Sequence, residues 1–322
     1  MSAGRVNGDT ADVAAVAARL SDALPGHVHH DVPARELTTY RLGGPVAALV
    51  RLRSEEDLRA TSKAMAGTDV PVLVIGRGSN IVVADEGFPG VGLILEGEFD
   101  HIDIAEDRVR AGGSVPLPVL ARRAAAAGRA GLEFYVGIPG SVGGAVRMNA
   151  GGHGRSTADV LIEARLVDLS TGAAADLVAE DLVFGYRTSA VTKRQVVVGA
   201  VFDATSDTSE ACEERLAEIV RWRRENQPGG SNAGSVFTNP PGDSAGRLID
   251  DCGLKGFRVG GVEVSHKHAN FFQADTDARA ADVHALVAEV RRVVAERTGI
   301  DLRPELVFVG FDDENRCGDT RP

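Results

Sequence analysis

Residues 137–154 read GIPGSVGGAVRMNAGGHG, and seven of these eighteen positions are glycine. A chain gathers this much backbone freedom where something must approach its main chain closely, or where φ must reach values closed to other residues. A second glycine turn lies in VLVIGRGSNIVV (72–83), where an apolar run ends in Gly76 and Gly78 and more apolar residues follow. Consecutive N–H groups in such a turn form a nest for phosphate oxygens without side-chain charge, and Ser79 and Asn80 add hydrogen-bonding groups. The turn departs from the dinucleotide fingerprint GxGxxG, because Ile81 stands at the third glycine and no helix signal follows. Alone it reads equally well as a tight turn between strands. Together the two regions can flank one long dinucleotide, the first taking the pyrophosphate and the second packing its backbone against a flat ring. The alternative for the longer stretch is a loop that packs tightly against its own protein.

The segments around these turns alternate in type. Helical spacing marks 11–20, and 27–45 reads as irregular. A strand is expected at 46–52, then a helix to about residue 66 with Ser54 and Asp57 as a capping box. Further strands are expected at 70–76, 91–95 and 107–115. Residues 116–128 form a helix with proline at its start and glycine at its end. Residues 161–177 read as a hairpin about Ser170, Thr171 and Gly172, and a strand at 195–204 follows. Helices at 209–225 and 281–297 and a strand at 303–310 complete the chain. Strands and helices mix without strict βαβ alternation, so the fold class is α+β. The polar run TSDTSE (205–210) marks a boundary between 1–204, whose first 34 residues or so form a tail, and 205–322.

Composition removes several function classes. The 322 residues carry a net charge of −11, which argues against a nucleic-acid or polyanion binder. Any anionic ligand must be held by local groups. Cys212, Cys252 and Cys317 are scattered, with no CxxC, which points away from a disulfide framework or a zinc site and towards a reducing compartment. The histidines (His27, His29, His30, His266, His268) do not converge as metal ligands, so no metal is expected. The first residues lack the pattern of a signal peptide, and no apolar run reaches membrane-spanning length. A cytoplasmic protein, without membrane insertion and without an evident obligatory protein partner, is the expectation.

Between residues 35 and 310 the motifs TTYRLGG (38–44), GRGSN (76–80), GLEFYVGIPGSVGGAVRMNAGGHG (131–154), YRTS (186–189), AGSVFTNP (233–240), AGRLID (245–250), GLKG (253–256) and VSHKHANF (264–271) occur in order. In this ordered set the chain resembles the UDP-N-acetylenolpyruvoylglucosamine reductase family of peptidoglycan precursor synthesis. The resemblance implies a two-subdomain FAD-binding half of the vanillyl-alcohol-oxidase (PCMH) type, then a C-terminal α+β substrate-binding domain, with NADPH as co-substrate. It implies non-covalent FAD contacts from Ile75, Gly76, Arg77, Gly78, Ser79, Asn80 and Ile81, and from Gly137, Ile138, Pro139, Gly140, Ser141, Val142, Gly143 and Gly144. No histidine or cysteine falls inside the first turn for covalent attachment, and His153 is the only candidate near the second. The spacing from Arg187 to Ser235 resembles the shorter subtype of the family.

The family reaction reduces an enolpyruvyl ether to a lactyl ether. Hydride addition to the terminal carbon pushes electron density onto the carboxylate, so the site must oppose that charge and protonate the neighbouring carbon. By resemblance, Arg187 binds the carboxylate, Ser235 donates the proton and Glu305 donates a hydrogen bond to the enolate. Without the motifs these would read as a surface arginine, a turn serine and a strand-end carboxylate. Tyr186, Asn239, Lys267 and His268 are the implied substrate contacts. The chain departs from the family at Asn226, where a lysine is common, and at Thr238, where a basic or amide side chain is common; Arg223, Arg224 and Lys267 are the cations at hand for the substrate diphosphate. Two other readings share the glycine regions: an FAD oxidase of the same superfamily acting on a hydroxyl substrate, and a non-enzymatic flavin or nucleotide-sugar binder. Neither needs all three of Arg187, Ser235 and Glu305.

Overall fold

A computed structural model describes residues 10–311. Cys317 and the ends of the two expected domains lie outside them. The chain forms two compact units that are interleaved in sequence. One takes residues up to 32, then Val46–Arg77 and Pro89–Trp222; the other takes Pro33–Pro45, Gly78–Phe88 and the chain from Arg223 onwards. Thr205–Ser206 pairs with Arg129–Ala130 inside the first unit, and two short N-terminal excursions belong to the second.

The first unit holds two larger sheets and two short strand pairs. Four strands run in the order Val28–Pro33, Pro45–Leu52, Phe88–Leu95, Val72–Val74, and the last two are parallel, with Val72 opposite Val91. The helices Thr10–Ala23 and Glu55–Met65 bring Val16, Leu20 and Leu58 to a core shared with Leu52, Val91 and Leu93. Ser54 caps the second helix by accepting from the Asp57 amide at 3.1 Å, while the Asp57 carboxylate turns back to the Arg53 amide. Segment 27–45, expected to be irregular, opens as the edge strand Val28–Pro33. Its His29, His30 and Asp31 are exposed, so no apolar alternation announces it and pairing with its neighbour imposes the extended form.

Five strands make the other sheet, in the order Ala174–Val178, Leu161–Asp168, Gln195–Asp203, Arg108–Gly112, Ile102–Ile104, each pair antiparallel. The hairpin turns where expected. Gly172, at φ 73°, donates its amide to the Asp168 carbonyl at 2.7 Å. The helices Leu117–Ala126 and Val142–Met148 supply Leu117, Leu120, Ala124, Val142 and Val146 to the core of this sheet. The second of these helices was not anticipated, since two glycines in its first turn weaken its propensity.

In the second unit the helix Ala280–Thr298 lays Val283, Leu286, Val287, Val290 and Val294 against Val236, Phe237, Leu248, Ile249 and Phe272. The helix ends on Gly299 at φ 73°. The antiparallel strands Arg258–Val259, Val262–Val264 and Phe272–Ala274 pack on it. Val307–Val309 instead pairs in parallel with Ile81–Val83, which is why a piece of the N-terminal half belongs to this unit. The fold is α+β throughout. Among the described residues no helix is long and apolar enough to cross a membrane.

Candidate active site

In the first unit the two glycine-rich stretches meet. Ile75 continues its strand by donating to the Leu93 carbonyl at 2.8 Å. A Cβ on Gly76 would collide with the hydroxyl of Ser141, in the longer stretch. Ser141 is buried and caps the helix Val142–Met148, accepting from the Gly144 amide at 3.4 Å. The neighbouring amides are also committed to protein: Val142 donates to Val115 at 3.0 Å and Gly143 to Gly113 at 2.8 Å. This helix start is therefore no nest for phosphate.

The glycines here serve different ends. A Cβ on Gly143 would meet the carbonyl oxygens of Val197 at 3.0 Å and Gly113 at 3.1 Å, so this glycine lets the helix rest on the second sheet. A Cβ on Gly144 would meet only the Ser141 hydroxyl, at 3.6 Å, and Gly152 faces open space. At Gly151 the added atom would meet the Arg155 carbonyl oxygen at 2.7 Å and Arg187 Nη1 at 3.1 Å. Thus Gly143 and Gly151 are required by the protein itself, whereas a Cβ at Gly144 would make no more than an ordinary contact.

Arg187 sits at φ 58°, a left-handed conformation uncommon outside glycine. Its Nη2 donates to the Gly151 carbonyl at 2.9 Å, and its guanidinium carbon lies 5.2 Å from the centre of the Tyr186 ring. Asn149, which the sequence reading passed over, ties the same two loops. It is buried and left-handed, its Nδ2 donates to the Gly185 carbonyl at 2.8 Å, and its Oδ1 accepts from the Ala158 amide at 2.9 Å. A left-handed asparagine closing a helix is the local signal that would have marked it.

The second unit gathers the other candidates. Gly78 is left-handed at φ 60°, and a Cβ there would strike the Leu37 carbonyl and lie 2.7 Å from Thr38 Cα. Asn80 accepts from the Val307 amide through its carbonyl at 2.9 Å and donates its Nδ2 to the Glu305 carbonyl at 3.0 Å. The Glu305 amide donates to the Val236 carbonyl at 2.8 Å, next to Ser235. Asn270, buried and also missed, fixes this segment: its Oδ1 accepts from the Phe237 amide at 2.9 Å and its Nδ2 donates to the Phe237 carbonyl at 2.8 Å. So Ser235 and Glu305 stand on adjoining extended segments, and Asn80 is hydrogen-bonded to the same Glu305 main chain.

The implied substrate residues are engaged as well. The Asn239 Oδ1 accepts from the Ala245 amide at 3.0 Å, and Lys267 Nζ donates to the Arg224 carbonyl. Partial burial holds the His268 imidazole below its usual pKa, and its Nδ1 accepts from the Asn270 amide at 3.2 Å. Thr238, at the departing position, donates its hydroxyl to the Arg303 carbonyl at 3.2 Å. Burial also lowers the pKa of Arg223, whose Nε donates to Gln227 Oε1 at 2.8 Å.

Comparison with known proteins gives these loops their context. Residues 46–177 match the model of an FAD-binding domain, and residues 226–309 match that of the UDP-N-acetylenolpyruvoylglucosamine reductase C-terminal domain. The fold and its glycine loops thus define an FAD-binding protein with a distinct C-terminal domain. The UDP-N-acetylenolpyruvoylglucosamine reductase of Paramagnetospirillum magneticum is 42% identical over 90% of this chain and 95% of its own length. That of Synechococcus sp. is 42% identical over 89% of this chain and 94% of its own. The crystal structure of the Thermus caldophilus reductase superposes with a TM-score of 0.77 at 38% identity, covering 88% of this chain and 98% of that one. The chain belongs to the UDP-N-acetylenolpyruvoylglucosamine reductase family.

Proposed function

We propose that this protein reduces the enolpyruvyl ether of UDP-N-acetylglucosamine to UDP-N-acetylmuramate, with NADPH as reductant and FAD as cofactor, in the cytoplasmic synthesis of peptidoglycan precursors. One observation carries the reading: the family match extends through both the flavin-binding and the C-terminal models, at 42% identity to a relative covered over 95% of its length. The residues present fit a flavin dinucleotide. Gly78 provides a left-handed turn at the shorter stretch, and Gly144 leaves space where a side chain would otherwise stand. Residues 75–81 and 137–144 would hold the group without a covalent bond.

Bound FAD supplies the relay of hydride from NADPH to the substrate. The remaining work belongs to the protein. Arg187 holds the substrate carboxylate, where negative charge grows as hydride adds to the terminal carbon. Its fork is already aimed by its bond to Gly151, so little orientation is lost when the carboxylate arrives. Ser235 gives its hydroxyl proton to the carbon next to the carboxylate. Glu305 donates a hydrogen bond to the enolate oxygen, its main-chain carbonyl held by Asn80 and its amide by Val236. Tyr186, Asn239, Lys267 and His268 contact the nucleotide sugar. We assign flavin binding to 1–204 and substrate binding to 205–322, with Ile81–Val83 structurally joined to the latter.

The test is NADPH consumption dependent on the enolpyruvyl sugar nucleotide, with the lactyl product identified by mass. Purified protein should be yellow and should release its flavin on acid precipitation. Oxygen consumption on a hydroxyl substrate would favour an oxidase, and flavin uptake without turnover would favour a binding protein.

A further inference from the structure

The segment 37–40 is pressed onto the shorter glycine turn. The Thr39 amide donates to the Gly78 carbonyl at 3.2 Å, and Gly78 could carry no Cβ without striking Leu37 and Thr38. The residues of this segment use their hydroxyls differently. Thr38 Oγ1 donates to the Leu42 carbonyl at 3.4 Å, completing a local turn. Thr39 Oγ1 is buried and has no hydrogen-bond partner. A hydroxyl removed from water with no partner is costly, and native proteins satisfy nearly all such groups. The Tyr40 hydroxyl is likewise buried without a partner, but Thr39 alone has its own amide bonded to the turn, whose amides suit a phosphate.

We infer that Thr39 is a flavin-binding residue whose hydroxyl donates to a pyrophosphate oxygen of FAD beside the Gly78 turn, an inference that rests on the flavin reading above. A phosphate oxygen accepts hydrogen bonds and donates none, so it complements a hydroxyl that finds no acceptor in the protein. The arrangement also gives the first N-terminal excursion a reason to belong to the second unit: it carries a cofactor contact to the turn. The glycine turn alone supplies backbone donors, and Thr39 adds a side-chain donor of fixed position.

The experiment compares Thr39→Val, which keeps the shape and removes the donor, with Thr39→Ser, which keeps the donor and removes a methyl group. Full-length protein is stripped of flavin, and FAD affinity is read from the quenching of flavin fluorescence on rebinding. The melting of the stripped protein is recorded beside it. Thr39→Val should weaken FAD binding about tenfold, the usual worth of a neutral donor on a charged acceptor, with melting of the stripped protein unchanged or raised. Thr39→Ser should stay within about threefold of wild type, since it retains the same donor. Wild-type affinity in Thr39→Val, or equal weakening in both variants, overturns the inference. Failure of the wild-type protein itself to take up FAD would instead remove the flavin reading.

Discussion

Asn80 donates its side-chain amide to the main-chain carbonyl of Glu305 at 3.0 Å, across 225 positions of sequence. The Asn80 carbonyl accepts from Val307 on the same edge, and the parallel strands Ile81–Val83 and Val307–Val309 continue the contact. The glycine turn and the candidate hydrogen-bond donor of the reaction are thereby one mechanical element. Asn80→Asp would set a carboxylate oxygen against that carbonyl. The variant should lose about 1–3 kcal/mol of stability, the cost of a broken and partly buried hydrogen bond, as read by urea unfolding of the flavin-free protein. Unchanged unfolding would show that the bond carries no load.

Gly143 and Gly144 are adjacent in sequence and should respond in opposite ways. Alanine at Gly143 would crowd the carbonyl of Val197, in the strand Gln195–Asp203, and that of Gly113, which already accepts from the Gly143 amide. We expect a loss of about 1–2 kcal/mol in the flavin-free protein, overpacking outweighing the gain in helix propensity. Alanine at Gly144 meets only a hydroxyl at 3.6 Å, so the flavin-free protein should be as stable as wild type or slightly more so, while FAD affinity falls. Paired melting and flavin titration check both, and flavin affinity unaltered in Gly144→Ala would mean that this space is not the cofactor's.

Ser235→Ala should separate the two half-reactions. Flavin absorbance should still bleach at a near-normal rate on mixing with NADPH, because that step takes no proton from serine. Recovery of absorbance on adding the enolpyruvyl substrate should slow by about 10²–10⁴, the contribution of a positioned acid. Equal slowing of both phases in stopped-flow traces would assign Ser235 a structural role.

Glu305→Gln keeps a donor and a similar volume, whereas Glu305→Ala keeps neither. If the side chain donates to the enolate, the glutamine variant should retain more substrate reduction than the alanine variant, and NADPH-driven bleaching should survive in both. Near-wild-type turnover in Glu305→Ala would remove this residue from the mechanism. The backbone bonds to Asn80 and Val236 are untouched by either change, so loss of activity would report on the carboxyl group itself.

His268 gives the second unit a pH dependence with a defined sign. Burial lowers its folded-state pKa below the ordinary value of 6.5. Above that value the imidazole is neutral in both states and contributes no slope. As pH falls through the unfolded-state pKa, the unfolded chain takes up a proton that the folded protein resists, so stability declines until the lowered folded pKa is passed. Urea unfolding across this window should fall more steeply for wild type than for His268→Gln. Parallel profiles would show that the imidazole titrates alike in both states.

The sequence alone determined the secondary structure wherever periodicity and caps agree. The Ser54 cap, the Asp168–Gly172 turn and the valine-rich face of Ala280–Thr298 are local facts, decided within a few residues by hydrogen bonding and by one buried stripe. The ordered motifs likewise gave the family, because their residue types are legible without coordinates. The tertiary structure decided what each glycine is for. Gly143 answers to the carbonyl of Val197 and Gly151 to the Arg187 side chain, partners far enough along the chain that no local pattern encodes them. It also decided that Asn80 serves Glu305, that Asn149 and Asn270 clamp the loops, and that Pro33–Pro45 and Gly78–Phe88 join the C-terminal unit. The reason in each case is that close approach and hydrogen-bond complementarity belong to pairs of segments, and a pair exists only once the chain has folded.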